Sequence, residues 1–420
     1  MRILWIVNTI FPYPAKQLGI NKCVFGGWLN GLFNALNKER NVNIAIATVY
    51  EGKDFKKFVD KNVYYYLIPY KNKGKYISSS KKYWEIINKD FNPDLVHLHG
   101  SEYPFGLVYV NNFDVPTLLS IQGLVSVYSD YYNAGIRTND ILKNITIRDL
   151  LRMDTIFHGK QKFKKNGLFE KKLINKVNYI TGRTTWDYAN TYSVVLKDKY
   201  FKCNESLRDA FYNNNWSINN VKRHTIFISQ ASYPIKGFHV LIKALALLKN
   251  KYPDVMVYVA GQNILKNVTL KDKFKLTGYA KYLTKLIKKN KLEDNIMFTG
   301  LLDEDQMCKK MLESHVYVQA SAIENSSNSL GEAMIIGMPS VASCVGGTSD
   351  MMYDKEEGFL YPFGDYAVLA QYITNIFEDD KLAADLGIKA RKHAMLTHDR
   401  KENASQMLKI YKEIINESNK

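Results

Sequence analysis

Along the whole chain, short apolar runs alternate with segments of helical periodicity, and a single Asn-rich stretch at residues 213–220 breaks the rhythm near the middle. Adjacent parallel strands need a crossover of a dozen or more residues, and a helix supplies it, so this alternation commits the chain to α/β sheets covered by helices. Before the break the pattern predicts strands at residues 3–7, 42–49, 63–68, 95–98, 117–121 and 177–181, with helices at 25–36, 81–88, 170–175 and 185–191. After it, strands are expected at 225–229, 255–260, 295–299, 315–319 and 340–343, with helices at 237–250, 279–289, 304–313, 329–336, 366–377 and 381–395. With 420 residues there is room for two or three domains of about 150 residues each. The expectation is two Rossmann-like, doubly wound domains, residues 1–215 and 216–401, with a last helix within 402–420 that can pack back on the first. Ligands of such domains bind at the carboxyl ends of the strands, here in an expected cleft between the halves.

Composition narrows the function. The chain is 46% hydrophobic and 24% charged, which excludes wholesale disorder and collagen-like sequence. The 58 Lys and Arg against 41 Asp and Glu give a formal charge of +17. That suits a polyanion or an anionic membrane face, and a Lys-, Asn-, Ile- and Tyr-rich coding bias would produce it equally. Cys23, Cys203, Cys308 and Cys344 are scattered without zinc-type spacing, as in a reduced, cytoplasmic protein. Residues 1–7 read as a buried first strand rather than a signal-peptide core, and no run is long enough to span a bilayer, so any membrane contact is expected to be peripheral. Asn8-Thr9-Ile10-Phe11-Pro12 follows the first strand where a dinucleotide enzyme would carry Gly-x-Gly-x-x-Gly. No nucleic-acid-binding module pattern is present, so no specific nucleic acid is expected.

The segment that carries most chemistry runs from Ala320 to Met334. Its small-residue loop, Asn325, Ser326, Ser327, Asn328 and Ser329, leads from an apolar strand onto a helix start, where free N–H groups and the dipole can hold an anion. Glu324 and Glu332 bracket the loop, and a carboxylate can accept both hydrogen bonds of a vicinal diol. The plainer alternative is a capped helix with two solvated carboxylates.

At this point the chain resembles the retaining glycosyltransferases of family 4, which have the two-domain GT-B fold. The resemblance lies in Glu324, Glu332-Ala333-Met334, Gly337-Met338-Pro339 and Gly346-Gly347, and it extends to Gly26-Gly27, Pro93-Asp94-Leu95-Val96-His97, Lys236-Gly237, Ala260-Gly261 and Phe298-Thr299-Gly300. It implies transfer of a sugar, of hexosyl type, from a nucleoside-diphosphate sugar to a saccharide or lipid-linked acceptor, with no metal and no resident cofactor. Lys236 would contact the diphosphate, Glu332 the ribose, and Glu324 the donor sugar, aided by the N–H groups of residues 325–329. Gly27 would let the backbone approach the diphosphate from the first domain. A GT-B sugar phosphorylase, a sugar-nucleotide epimerase and an inactive scaffold are the alternatives.

Two positions depart from the family pattern. Gln230 stands six residues before Lys236 where the family has an Arg, and Gln122 stands where it often has a His. An amide supplies no positive charge, so leaving-group stabilisation would rest on Lys236, backbone dipoles or another cation such as Arg183. Arg183, with Trp186, ends an expected strand at the cleft and is an acceptor-binding candidate together with Gln122; equally, Arg183 and Asp187 form an i, i+4 pair on a helix start. His97 and His99 share a strand face and read as packed or cleft-lining rather than metal-binding. Lysine clusters at 53–61, 71–75 and 160–172, with Tyr64, Tyr65, Tyr66, Phe163 and Phe169 between them, suit either an anionic membrane surface or a solvated face.

Overall fold

The structure, a computed structural model, describes residues 1–20, 26–195, 200–265 and 275–418. Cys23 and the first residue of the helix expected at 25–36 lie outside the described residues. The chain divides into two units, one built from Met1–Val127, Phe163–Ser206 and the stretch from His398, the other from Tyr128–Lys162 and Leu207–Thr397.

The first unit holds an eight-stranded sheet of β1 (Arg2–Val7), β2 (Asn43–Tyr50), β3 (Lys56–Asp60), β4 (Val63–Pro69), β5 (Leu95–His99), β6 (Thr117–Ser120), β7 (Tyr179–Gly182) and β8 (Tyr200–Lys202), in the order β3-β4-β2-β1-β5-β6-β7-β8. Every pairing is parallel except β3 with β4 at the edge. Both faces of β1 are buried, Leu4 and Ile6 in one core and Ile3, Trp5 and Val7 in the other, which is why it reads as an unbroken apolar run. The terminal helix Arg400–Ser418 contributes Met407, Ile410, Tyr411 and Ile414 to the second of these cores, and Trp5 Nε1 donates to Tyr411 Oη at 3.1 Å.

The second unit holds six parallel strands, β9 (Lys222–Ile228), β10 (Met256–Val259), β11 (Ile296–Phe298), β12 (Ser314–Gln319), β13 (Ser340–Ser343) and β14 (Phe359–Tyr361), in the order β11-β10-β9-β12-β13-β14. Counted from β9 this is the 3-2-1-4-5-6 order of a dinucleotide-type doubly wound sheet. The α/β, doubly wound architecture expected from the alternation is therefore present in both units. Three edge or near-edge strands, β3, β8 and β14, were not anticipated.

The boundaries differ from the expected 1–215 and 216–401. Residues 128–162 cluster with the second unit because Ile136, Ile141 and Ile156 bury in its core, and His239 Nε2 meets Ala134 O at 2.9 Å. The Asn-rich stretch is not a free linker but part of that unit. Trp216 anchors it, bonding Ile336 O through its backbone N–H at 2.7 Å and Ser314 O through its indole at 2.8 Å. The tyrosines expected to meet a bilayer are instead strand residues of β4: Tyr65 and Tyr66 are buried, and Tyr66 donates to Asp90 at 2.6 Å.

Candidate active site

In the second unit the strand order reverses between β9 and β12, and the loops at the carboxyl ends of these two strands carry Gln230, Lys236 and Glu324. A crevice opens at such a reversal because the connections leave in opposite directions. Two glycines make the loops fit. Gly237 has φ +67°, and a Cβ there would stand 1.6 Å from Ala320 O; Gly346 has φ +55°, and a Cβ there would stand 1.8 Å from Glu324 O. Backbone bonds from Ala322 N to Ile235 O (2.7 Å) and from Gly347 N to Glu324 O (3.1 Å) then hold the Glu324 loop between its neighbours.

Lys236 Nζ lies 2.6 Å from Glu324 Oε1, which also accepts from Ser321 Oγ at 2.7 Å. Burial alone would pull the Lys236 ammonium down, but Glu324 and the nearby tyrosine hydroxyls hold it above its ordinary value, so it stays charged. Beyond the loop, Ser327 caps the helix Asn328–Ile335, and its hydroxyl accepts from Leu330 N. The first-turn N–H groups of this helix, at Asn328 and Ser329, have no partner within the helix itself. Asn325 is buried and Ser326 half-buried. A cation, a carboxylate and a helix start thus meet at one switch point, an arrangement suited to a polyol bearing phosphate.

Glu332 sits inside that helix, buried, and is bound by a residue the sequence reading did not single out. Arg208 grips it in fork geometry, Nε to Oε1 and Nη2 to Oε2, each at 2.6 Å. Burial pushes the Glu332 carboxyl up and Arg208 opposes that push. Glu304, whose Oε1 accepts from Ala210 N at 2.6 Å, lies close enough to help hold Arg208 charged. Gln230, in contrast, is exposed and bonds Ser232 Oγ at 3.1 Å.

The first unit has its own reversal between β1 and β5. Gly26 caps the helix Gly27–Leu36 with φ +85°, and a Cβ there would stand 2.9 Å from the Thr9 methyl. Gln122 and Arg183 are brought together by Glu205, with Gln122 Nε2 at 2.5 Å and Arg183 Nη1 at 2.6 Å. Asp187 does not take the guanidinium. It completes a capping box with Thr184 and accepts from the Arg183 backbone N–H at 2.8 Å.

Arg183 and Glu205 line a small pocket with Trp28, His99, Ser120 and Asn204. Trp28, rather than Trp186, is its aromatic wall. His97 is a packed strand residue, held by Tyr411 Oη (2.6 Å) and Ser120 Oγ (2.7 Å), whereas His99 is buried with neither ring nitrogen bonded. Burial holds both imidazoles neutral, pulling His97 down to about 3 and His99 well below its ordinary value. Glu102, at the end of β5, is pushed by burial up to about 7. Among the described residues no group of three or more His, Cys, Asp or Glu side chains could hold a metal ion.

Residues 211–393 match the family described as glycosyl transferases group 1. A phosphatidyl-myo-inositol mannosyltransferase of Mycobacterium leprae (strain TN) is 26% identical over 196 residues, 46% of this chain and 48% of that protein. A poly(ribitol-phosphate) alpha-N-acetylglucosaminyltransferase of Staphylococcus aureus (strain COL) is 26% identical over 179 residues, 42% of this chain and 33% of that one. The chain therefore matches about half, or less, of the length of these curated relatives. Among solved structures, sucrose-phosphate synthase from Thermosynechococcus elongatus superimposes with a TM-score of 0.74 at 15% identity, covering 99% of this chain and 100% of that one. Anabaena HepE in complex with UDP and glucose gives 0.67 at 16% identity, covering 98% and 99%. WaaG, a glycosyltransferase involved in lipopolysaccharide biosynthesis, gives 0.65 at 13% identity, covering 96% and 99%. These structural likenesses establish the GT-B fold. Residues 211–393, rather less than half of the chain, are thus similar to the glycosyl transferases group 1.

Proposed function

We propose that the chain is a retaining, metal-independent glycosyltransferase of the family 4 type. It moves a hexosyl group from a nucleoside-diphosphate sugar to a hydroxyl of a saccharide or lipid-linked acceptor, in building a cell-surface polysaccharide or glycolipid at the cytoplasmic face of a membrane. The observation that carries this reading is the Lys236–Glu324 pair at the β9/β12 reversal, beside a helix start and the Arg208–Glu332 fork. Two relatives, a mannosyltransferase and an N-acetylglucosaminyltransferase, support the same class of reaction.

In the proposed reaction the bond from the anomeric carbon to the β-phosphate oxygen breaks, and its electron pair stays on that oxygen. Lys236 and the first-turn N–H groups of Asn328–Ile335 stabilise the charge as it develops, which is worth more in a partly dry site than in water. The acceptor hydroxyl attacks from the face the leaving group departs, and its proton passes to the departing phosphate oxygen. Glu332, aimed by Arg208, accepts the ribose hydroxyls; Glu324 accepts from the donor sugar. Gln122, Arg183 and Glu205 supply hydrogen bonds for the acceptor. The anomeric configuration of the product is expected to equal that of the donor, with turnover independent of inorganic phosphate. NMR of the product showing the opposite anomer would overturn the retaining mechanism.

A further inference from the structure

In the hairpin of helices Thr138–Asn144 and Ile147–Arg152, the first helix buries Ile141 and exposes Leu142, and the second presents its faces the opposite way from an ordinary surface helix. In Ile147–Arg152 the buried residue is Asp149, while Ile147, Leu150 and Leu151 face outward. With Leu142 and Met153 they are between 53 and 81% exposed. Exposed apolar side chains scattered singly are ordinary, but five within twelve residues form a patch that asks for a partner.

The inner side of the hairpin explains the orientation. Asp149 closes a capping box with Thr146 and also accepts from Gly278 N at 2.8 Å, and Thr146 Oγ1 donates to Leu276 O at 3.0 Å. A Cβ on Gly278 would stand 2.6 Å from Asp149 Oδ2, so the hairpin is seated tightly against the start of the helix Gly278–Lys289. Ile141 and these polar groups together fix the hairpin to its own unit, and the other apolar side chains are left outward on a firm base.

Charge selects the partner. Lys143 and Arg152 are exposed among the apolar side chains, and Arg137 is exposed just before the hairpin. Two of the nearby acids, Asp149 and Asp154, are both bound by Arg148, at 3.4 and 2.8 Å. Apolar side chains interspersed with the exposed Lys143 and Arg152, against Asp140 on the first helix, suit the boundary of an anionic bilayer, where the apolar side chains enter between headgroups and the cations meet lipid phosphates. Among the described residues no helix is long and apolar enough to cross a membrane, so contact through this hairpin would be at the surface.

We propose that residues 142–153 form a docking face for an anionic lipid bilayer. The proposal shares with the proposed function only the expectation of a membrane surface. Its readout is binding rather than transfer, so either can fail while the other stands. Full-length protein is floated with vesicles of phosphatidylcholine alone and of phosphatidylcholine with phosphatidylglycerol, beside the variants Leu150→Ser/Leu151→Ser/Met153→Ser and Lys143→Glu/Arg152→Glu. The expected result is flotation only with phosphatidylglycerol, lowered at least about tenfold by either variant with melting temperature unchanged. Wild-type flotation that ignores phosphatidylglycerol, or variants that float as wild type does, would overturn it. So would light scattering showing that the wild type is a dimer and the triple-serine variant a monomer, because the face would then belong to a second copy of the chain.

Discussion

Lys236→Ala is expected to lower kcat by about 10²- to 10³-fold, the usual cost of removing one fixed group aimed at charge that develops in the transition state. In the resting site its ammonium sits 2.6 Å from Glu324 Oε1. A diphosphate arriving at the β9/β12 reversal would exchange that single carboxylate for phosphate oxygens carrying more charge. With Gln230 exposed and neutral, no second cation on the same loop can compensate. Stability should change much less, by on the order of 1 kcal/mol, because Ser321 keeps its hydrogen bond to Glu324. Initial rates and melting curves on one preparation check the split. A kcat loss below about fivefold would mean that leaving-group charge is stabilised elsewhere.

Arg208→Met is expected to act on the fold itself. Glu332 is 2% exposed, and both its oxygens are held by the Arg208 fork, so removing the guanidinium strands a buried carboxylate at a cost of about 3–5 kcal/mol. The loss should depend on pH in a definite direction. Burial already raises the Glu332 carboxyl, and without Arg208 it rises further above its unfolded value of about 4.3. A carboxyl whose folded value is raised favours folding below the unfolded value and withdraws that contribution as pH climbs through the folded value. The deficit relative to wild type is therefore smaller near about pH 5 and larger near about pH 8. Denaturant melts at the two pH values measure it. Adding Glu332→Leu should restore most of the stability, since an apolar pair of similar volume often replaces a buried ion pair at no loss. A pH-independent deficit below about 1 kcal/mol would contradict this account of the pair.

How much of this was legible in the sequence depended on distance along the chain. Strands buried on both faces, such as β1 and β12, announce themselves as apolar runs. The strands that escaped notice are short, and β3 reads Lys-Lys-Phe-Val-Asp, which looks like surface. Lys236, Glu324 and Glu332 are each marked by local spacing, but the contact between the first two closes across 88 residues and could come only from the fold. Arg208 lies 124 residues from Glu332, in a segment without helical or strand periodicity, so no local signal set it apart from other surface cations. The Asn-rich stretch was misread because asparagine signals turns, and the turn propensity concealed Trp216, which fastens the segment to β12 and the Asn328–Ile335 helix. The tyrosines of β4 belong to an alternation that already read as strand, and packing took them into the sheet.

Thermal melting in the presence of uridine and guanosine diphosphates tests whether the β9/β12 reversal binds a nucleoside diphosphate through Lys236 and Glu332. A ligand at 100 times its Kd adds about 2.7 kcal/mol to the stability of the folded state. One of the two nucleotides is expected to raise the melting temperature of the wild type by several degrees, and Glu332→Ala, compared with its own unliganded melt, to abolish the rise. Absence of a shift with either nucleotide, or an equal shift in Glu332→Ala, would contradict this binding mode.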